Sequence, residues 1–150
     1  MTDAPIWSRV VCLSVGGVLG VNARYWLALA IDRAAGIRFP WATFVINVTG
    51  SFLIGLGAVV LSRYGPHSLT RVLVLTGFLG GYTTFSTFTY ESLSLFERGD
   101  ATRAALNLIG SVLLGLAAVW AGAMLGRAFV SEDQAVIALR GGEVRPGADD

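Results

Sequence analysis

Four long runs of apolar residues divide the chain, and short polar segments separate them. The runs extend from Val10 to Ile31, from Trp41 to Leu61, from Val72 to Phe96 and from Leu106 to Phe129. A helix needs about 20 apolar residues to cross the hydrocarbon core of a bilayer. The pattern therefore predicts an all-α membrane protein with four transmembrane helices.

The third run contains a polar interruption that is unusual for a spanning helix. Glycines at positions 77, 80 and 81 precede a dense series of hydroxyl residues: Thr83, Thr84, Ser86, Thr87 and Thr89. Within lipid, irregular backbone is tolerated only where protein or a water-filled cavity shelters it. Broken helices at this depth commonly form ion sites. We therefore predict that the third helix is broken and that the break handles an ion.

The composition supports a membrane protein. Hydrophobic residues make up 54% of the 150 residues and charged residues only 14%, whereas soluble domains contain about 25% charged residues. We predict one transmembrane domain over residues 1–130 and a polar, disordered tail over residues 131–150. The expected location is the plasma or inner membrane of the cell, which the chain crosses several times.

The basic residues, all of them arginine, do not specify an orientation. With four spans, four arginines close to span ends lie on each side of the membrane: Arg9, Arg63, Arg71 and Arg127 on one side, and Arg33, Arg38, Arg98 and Arg103 on the other. The positive-inside rule counts such residues, and the two counts are equal. The balance indicates that the chain inserts in both orientations or that its orientation is poorly specified.

Several polar side chains lie within the predicted spans. Arg24 in the first span either snorkels to the interface or places a positive charge in a vestibule that attracts anions. Asn47 in the second span can link helices or donate hydrogen bonds to a ligand. Asn107, Ser111 and Gly115 lie four residues apart in the fourth span and so share one helix face. Donors on three helices are consistent with a lined ion pathway.

Phe85 and Phe88 follow the glycines at a spacing that places them on one helix face. Such pairs usually pack in a core or against lipid. The edge of an aromatic ring is electropositive, however, so a ring presented edge-on weakly favours an anion. Hydroxyl and amide donors would then replace most of the anion's water.

Three segments together resemble the Fluc (CrcB) family of fluoride channels. Residues 77–88, Gly-Phe-Leu-Gly-Gly-Tyr-Thr-Thr-Phe-Ser-Thr-Phe, closely resemble the family signature, and residues 16–25 and 44–52 resemble its first two spans. The resemblance implies an antiparallel, dual-topology dimer of four-helix subunits with two fluoride pores at or near the subunit interface. The equal arginine counts agree with this dual topology. Some relatives pair two different subunits, so a paralogous partner is an alternative to the homodimer.

The resemblance also implies roles for individual residues. Gly80 and Thr83 match positions whose backbone carbonyls hold a structural Na⁺ that is not transported. Arg24 matches a vestibule arginine. One position departs from the family, because Asn107 stands where a tyrosine is common. The residues matched to the fluoride pore are Asn47, Phe85, Phe88, Ser111, Thr84, Ser86 and Thr87.

The expected function is passive fluoride efflux across the cell membrane, which lowers fluoride in the cytoplasm. One alternative is a small proton-coupled multidrug exporter, which would need a carboxylate deep in the first span; no acidic residue precedes Asp32 there. Another alternative is a non-transporting membrane scaffold subunit, in which the glycines serve only packing. We expect neither enzymatic activity nor nucleic-acid binding, because no catalytic residue set, metal cluster or basic cluster is evident.

Overall fold

The computed structural model describes residues 4–64 and 68–142, and within these residues the chain forms helices and no strands. Helix α1 comprises Ile6–Ala35, and helix α2 comprises Trp41–Val60. A 3₁₀ turn at Leu61–Tyr64 extends α2. Gly36, with φ of 75°, ends α1. Such a backbone conformation favours glycine because it has no Cβ.

The third apolar run is helical on both sides of an extended pair of residues. Thr83 has φ of −83° and ψ of 157°, and Thr84 has φ of −149° and ψ of 111°. The run consists of α3 (Leu69–Arg71), a π-helix (Val72–Leu79), α4 (Gly80–Tyr82) and, after the extended pair, α5 (Phe85–Glu97). Gly80 and Gly81 remain helical, so the interruption falls on the two threonines rather than on the glycines.

Helix α6 comprises Ala101–Gly142. Among the described residues, three helical stretches are long and apolar enough to cross a membrane: Ile6–Ala35, Trp41–Val60 and Ala101–Ser131. The chain is thus an all-helical, multi-pass membrane protein. The boundary between the transmembrane domain and the tail stays a prediction, since α6 continues beyond residue 130 and residues 143–150 lie outside the described part.

Glycines allow two pairs of helices to pack with their backbones in contact. Helix α1 packs on the π-helix, where a Cβ on Gly16 or Gly20 would overlap backbone atoms of Leu73 or Phe78. Helix α2 packs on α6, where a Cβ on Gly122 would overlap the carbonyl of Phe52. Small residues permit such close approach in membranes, where dispersion rather than the hydrophobic effect holds helices together.

A small core lies beside the extended threonine pair. Ile46 of α2 is 1% exposed, and Leu79 and Tyr82 of the third run are 3% and 7% exposed. The Tyr82 hydroxyl is 2.9 Å from the hydroxyl of Thr49 on α2. This hydrogen bond gives the phenol a partner and holds α2 against the residues that immediately precede the break.

Replacing Gly122 with alanine is expected to destabilise the fold by about 3 kcal/mol, the upper end for overpacking, because the new Cβ would meet backbone that cannot rotate away. Gly110→Ala on the same helix is the matched control, since its Cβ would meet only the Phe44 ring at an ordinary 3.5 Å. Thermal unfolding and size-exclusion profiles in detergent measure the difference. Equal stability of the two variants would contradict the close packing of α2 on α6.

Candidate functional site

The interruption in the third run is held by one side chain from α2. The Asn47 amide nitrogen donates to the Thr84 carbonyl at 3.0 Å, and the Thr84 N–H donates to the Asn47 amide oxygen at 2.9 Å. Both backbone polar groups of an extended residue therefore find partners inside the bundle. Unpaired backbone groups are costly in lipid, so Asn47 stabilises the break. Its nitrogen carries a second N–H, which is available to a ligand.

The break also removes the helical donors of several backbone carbonyls, among them those of Gly80 and Thr83. In a continuous α-helix the Gly80 carbonyl would accept from the N–H of Thr84, but that N–H donates to Asn47. The Thr83 carbonyl would accept from the N–H of Thr87, but that N–H donates to the Thr84 hydroxyl at 3.3 Å. Thr84 thus forms the N-cap of α5. The break leaves the carbonyls of Gly80 and Thr83 free to bind another group.

A cavity of about 320 Å³ lies against the break. Helix α2, both halves of the third run and α6 all contribute to its wall. No residue that lines it carries a formal charge. The lining residues are Asn47, Gly50, Ser51, Ile54, Leu75, Leu79, Gly80, Thr83, Thr84, Phe85, Phe88, Ser111 and Val112.

The two phenylalanines of α5 enter the cavity wall in different surroundings. Phe88 is packed inside the chain and only 5% exposed, whereas Phe85 is 75% exposed. Their ring centroids are 5.7 Å apart and the ring planes are inclined at 51°. Phe85 therefore has little packing from its own chain apart from the Phe88 ring, and its outer surface is open to lipid or to a second molecule.

A hydrogen-bonded series leads from the cavity into the packed space between α5 and α6. The Ser111 hydroxyl donates to the Asn107 amide oxygen at 3.4 Å, and the Asn107 amide nitrogen donates to the Ser92 hydroxyl at 2.8 Å. The Ser92 hydroxyl donates in turn to the Phe88 carbonyl at 2.7 Å. Asn107 is 0% exposed and Ser92 is 3% exposed. We call this series the Ser111–Asn107–Ser92 relay.

The cavity brings together most, but not all, of the residues selected from the sequence. Asn47, Thr84, Phe85, Phe88 and Ser111 line it, as do both residues assigned to sodium. Three further residues assigned to the pore are absent from its wall: Ser86, Thr87 and Arg24. Ser86 and Thr87 are exposed at the start of α5, and Arg24 is half-buried on α1. The roles of these residues stay predictions.

Two polar contributors were missed in the sequence. Ser51 was not selected, yet it lines the cavity and donates to the Asn47 carbonyl at 2.7 Å. Ser92 was not selected, although it follows Phe88 by one helical turn, which places it on the same face. That spacing was the available signal for a polar residue next to the phenylalanine.

The arrangement offers donors that suit a small anion and carbonyl acceptors that suit a cation. Helix α5 begins at the cavity wall, and helix N-termini carry partial positive charge. The amide of Asn47 supplies a hydrogen-bond donor. The wall hydroxyls donate to other groups of the chain and could serve an anion only by rotating; they belong to Ser51, Thr83, Thr84 and Ser111. The free carbonyls of Gly80 and Thr83, at the end of the preceding helical half, are acceptors and suit a hard cation such as Na⁺.

Comparison with known proteins gives a family match over most of the chain. The sequence profile of the family described as "CrcB-like protein, Camphor Resistance (CrcB)" matches residues 11–123. The match covers nearly all of the first apolar run, the whole second run, the break, the cavity and little more than half of α6.

Curated relatives carry one common name. Proteins named "Fluoride-specific ion channel FluC" from Solibacter usitatus and Nitratidesulfovibrio vulgaris are 45% and 47% identical to this chain over 120 residues, which are 79% of this chain and 98% and 97% of those proteins. A protein of the same name from Methylococcus capsulatus is 48% identical over 116 residues, 77% of this chain. The chain spans about half the length of that relative, 51%.

Proposed function

The chain belongs to the CrcB family, and from this membership and the cavity we propose that it is a fluoride-selective channel that lowers cytoplasmic fluoride by passive efflux. The observation that carries the proposal is the cavity itself. Amide, hydroxyl and aromatic groups from three helical segments converge at one break in the third apolar run. The names of the relatives supply the ion, and the chemistry of the cavity suits it.

The donors of the cavity fit the requirements of fluoride. Fluoride is small and strongly hydrated, so a selective pore must offer close donors where water is removed. The Asn47 amide provides a donor, the Ser111 hydroxyl can provide a second when it turns away from Asn107, and the edges of Phe85 and Phe88 provide weak positive potential. The uncharged wall lets an anion pass without the tight binding that a fixed cation would cause. Thr84, Ser86 and Thr87 extend the donors along the start of α5, and Arg24 attracts anions at the entrance.

We propose further that four spans, the third of them broken, form each subunit and that two subunits assemble in antiparallel orientation in the plasma or inner membrane. Equal numbers of arginines at the two sides support insertion in both orientations. The exposed ring of Phe85 supports a second copy, since a partner would cover it and close the cavity. An identical chain is the simplest partner, and a paralogous subunit is the alternative. Lipid covers the remaining apolar surface.

Na⁺ is proposed to bind at the free carbonyls of Gly80 and Thr83 and to hold the two subunits together. The two carbonyls fit this role, because neutral backbone oxygens on an unwound segment coordinate Na⁺ in other membrane proteins. Bound Na⁺ supplies a fixed positive charge at the junction of the subunits. It is structural and is not transported.

Replacing Na⁺ with N-methylglucamine is therefore expected to destabilise the purified assembly. The loss is about 3 kcal/mol when the Na⁺ concentration is about 100 times the Kd of the site. Thermal unfolding of the assembly, compared in the two cations at equal ionic strength, measures the change. Ionic strength is matched so that screening of surface charges is the same. Identical melting curves would contradict a sodium site.

Growth of a fluoride-sensitive bacterium tests the cellular function. A strain without its own fluoride exit pathway should grow in millimolar fluoride when it expresses this chain. It should not grow when it expresses an equal amount of the Asn47→Asp variant. Equal sensitivity with and without the wild-type chain, at confirmed membrane expression, would contradict the proposal.

A further inference from the structure

We infer that Asn107 is a positioning residue for fluoride: rotation of its amide reverses the Ser111–Asn107–Ser92 relay when the anion enters the cavity. The inference rests on the proposed function, because it assigns a step within fluoride passage. It assigns no direct hydrogen bond between Asn107 and the ion. Asn107 acts on the ion through the hydroxyl of Ser111, which lines the cavity.

The relay as it stands directs its protons away from the cavity. Ser111 donates to Asn107, Asn107 donates to Ser92, and Ser92 donates to the Phe88 carbonyl. A serine hydroxyl has one O–H. With that O–H directed to Asn107, Ser111 presents only oxygen lone pairs to the cavity. Lone pairs repel an anion, so this arrangement does not serve fluoride.

Rotation of the Ser111 hydroxyl alone would leave a buried acceptor without a partner. If Ser111 donated to fluoride, the Asn107 amide oxygen would lose the donor that now reaches it at 3.4 Å. Asn107 is 0% exposed, so water cannot replace that donor. Low dielectric surroundings make such an unpaired group costly. A second rearrangement has to accompany the turn of the hydroxyl.

Half a turn of the Asn107 amide supplies that rearrangement. The last torsion of asparagine has a broad, roughly two-fold profile, so nitrogen and oxygen exchange places within the same space. The nitrogen then donates to the Ser111 oxygen, and the Ser111 O–H is released to fluoride. The amide oxygen now faces Ser92, whose hydroxyl turns from the Phe88 carbonyl to donate to it.

Ser92 makes both directions possible because a hydroxyl can either accept or donate. The Phe88 carbonyl retains the backbone hydrogen bond of α5 when Ser92 turns away. All polar groups of the relay therefore keep a partner in both states. Only the state with reversed donors presents an O–H to the cavity, so fluoride, which accepts hydrogen bonds, selects it.

Asn107→Asp and Asn107→Leu separate the relay from simple packing. An ionised carboxylate only accepts, so Asn107→Asp, assayed at alkaline pH because burial favours the neutral acid, holds the Ser111 O–H away from the cavity. We expect fluoride flux to fall about tenfold, because the anion in the cavity is then without one hydrogen-bond donor. Leucine neither accepts nor donates, so in Asn107→Leu the Ser111 O–H is free but has lost the Asn107 donor, and flux should fall by only about threefold. Fluoride release from liposomes that contain equal amounts of folded assembly measures both.

The same substitution in a Ser111→Ala background distinguishes the relay from charge repulsion. If Asn107 acts through Ser111, Asn107→Asp should cause little further loss once the Ser111 hydroxyl is absent. If the new charge simply repels fluoride, the about tenfold loss should persist. This comparison also remains decisive should Asn107→Leu fail to fold.

The outcomes separate this inference from the proposed function. A fluoride-tight wild-type assembly would overturn the channel function. A conducting wild type in which Asn107→Leu loses as much flux as Asn107→Asp, or in which Asn107→Asp loses flux equally with and without Ser111, would overturn the relay and leave the channel intact. Loss confined to Asn107→Asp with Ser111 present would support the relay.

Discussion

Replacement of Asn47 by aspartate is expected to lower fluoride flux at least about 100-fold, because the substitution removes a buried hydrogen bond and adds a charge near the pathway. The carboxylate cannot donate to the Thr84 carbonyl, which Asn47 now reaches at 3.0 Å. The negative carboxylate would repel both the Thr84 carbonyl oxygen and an anion in the cavity. Flux is measured with a fluoride electrode on liposomes that contain equal amounts of folded assembly.

Asn22→Asp is the matched control for this substitution. The Asn22 side chain is exposed on α1 and donates to the Val18 carbonyl one turn earlier in the same helix. It does not line the cavity. We expect a much smaller loss of flux than in Asn47→Asp, since the Asn22 side chain contacts neither the break nor the cavity wall. Asn47→Leu, which removes the donor without adding charge, should still lose most flux. Wild-type rates in Asn47→Asp would contradict the site.

Phe85→Ile is expected to lower fluoride flux about tenfold while leaving the stability of the subunit nearly unchanged, because a ring edge contributes about 1 kcal/mol to such interactions. Phe85 is 75% exposed, so its own chain loses little packing. Phe88→Ile should lower both flux and stability, because that ring is 5% exposed. Flux and thermal unfolding of the same preparations separate the two effects.

Phe96→Ile provides the control for Phe85. Phe96 lies on the same helix and is similarly exposed, at 65%, but it is outside the cavity. The change in side-chain volume and hydrophobicity is the same at both positions. Flux should remain near the wild-type rate in Phe96→Ile. Equal losses in the two variants would indicate a general effect of α5 on the membrane assembly rather than an interaction of Phe85 with the anion.

The cavity residues could be predicted because the membrane restricts what polar residues can do. Asn47 and Ser111 lie inside runs that are otherwise apolar, and such residues in a spanning helix usually serve function or link helices. Their positions on separate helices indicated a shared pathway. The structure places both in the wall of one cavity, together with Thr84, Phe85 and Phe88.

The position of the break could not be predicted from the glycines. Gly77 and Gly81 serve close packing, since a Cβ on either would press on the backbone of α1. The extended conformation falls instead on Thr83 and Thr84, where Asn47 satisfies the backbone groups of Thr84. That pairing joins residues 37 positions apart, and no local pattern specifies it. A distant side chain therefore decides where the helix is interrupted.

The hydrogen bond between Asn107 and Ser92 could not be predicted from the sequence either. The sequence placed Asn107 and Ser111 on one face of α6 through their spacing. It contained no sign that α5 would bring Ser92 to within 2.8 Å of Asn107. The register between two helices depends on side-chain packing along their whole interface. The direction of the relay follows from that register, and so only the structure could reveal it.

Fluoride release from liposomes that contain only this chain, with chloride release recorded in parallel, decides whether the chain alone forms a fluoride-selective channel. We expect rapid fluoride release, chloride release no faster than from protein-free liposomes, and loss of the fluoride signal in Asn47→Asp. Liposomes that stay fluoride-tight with correctly folded wild-type assembly, or that release chloride as fast as fluoride, would contradict it.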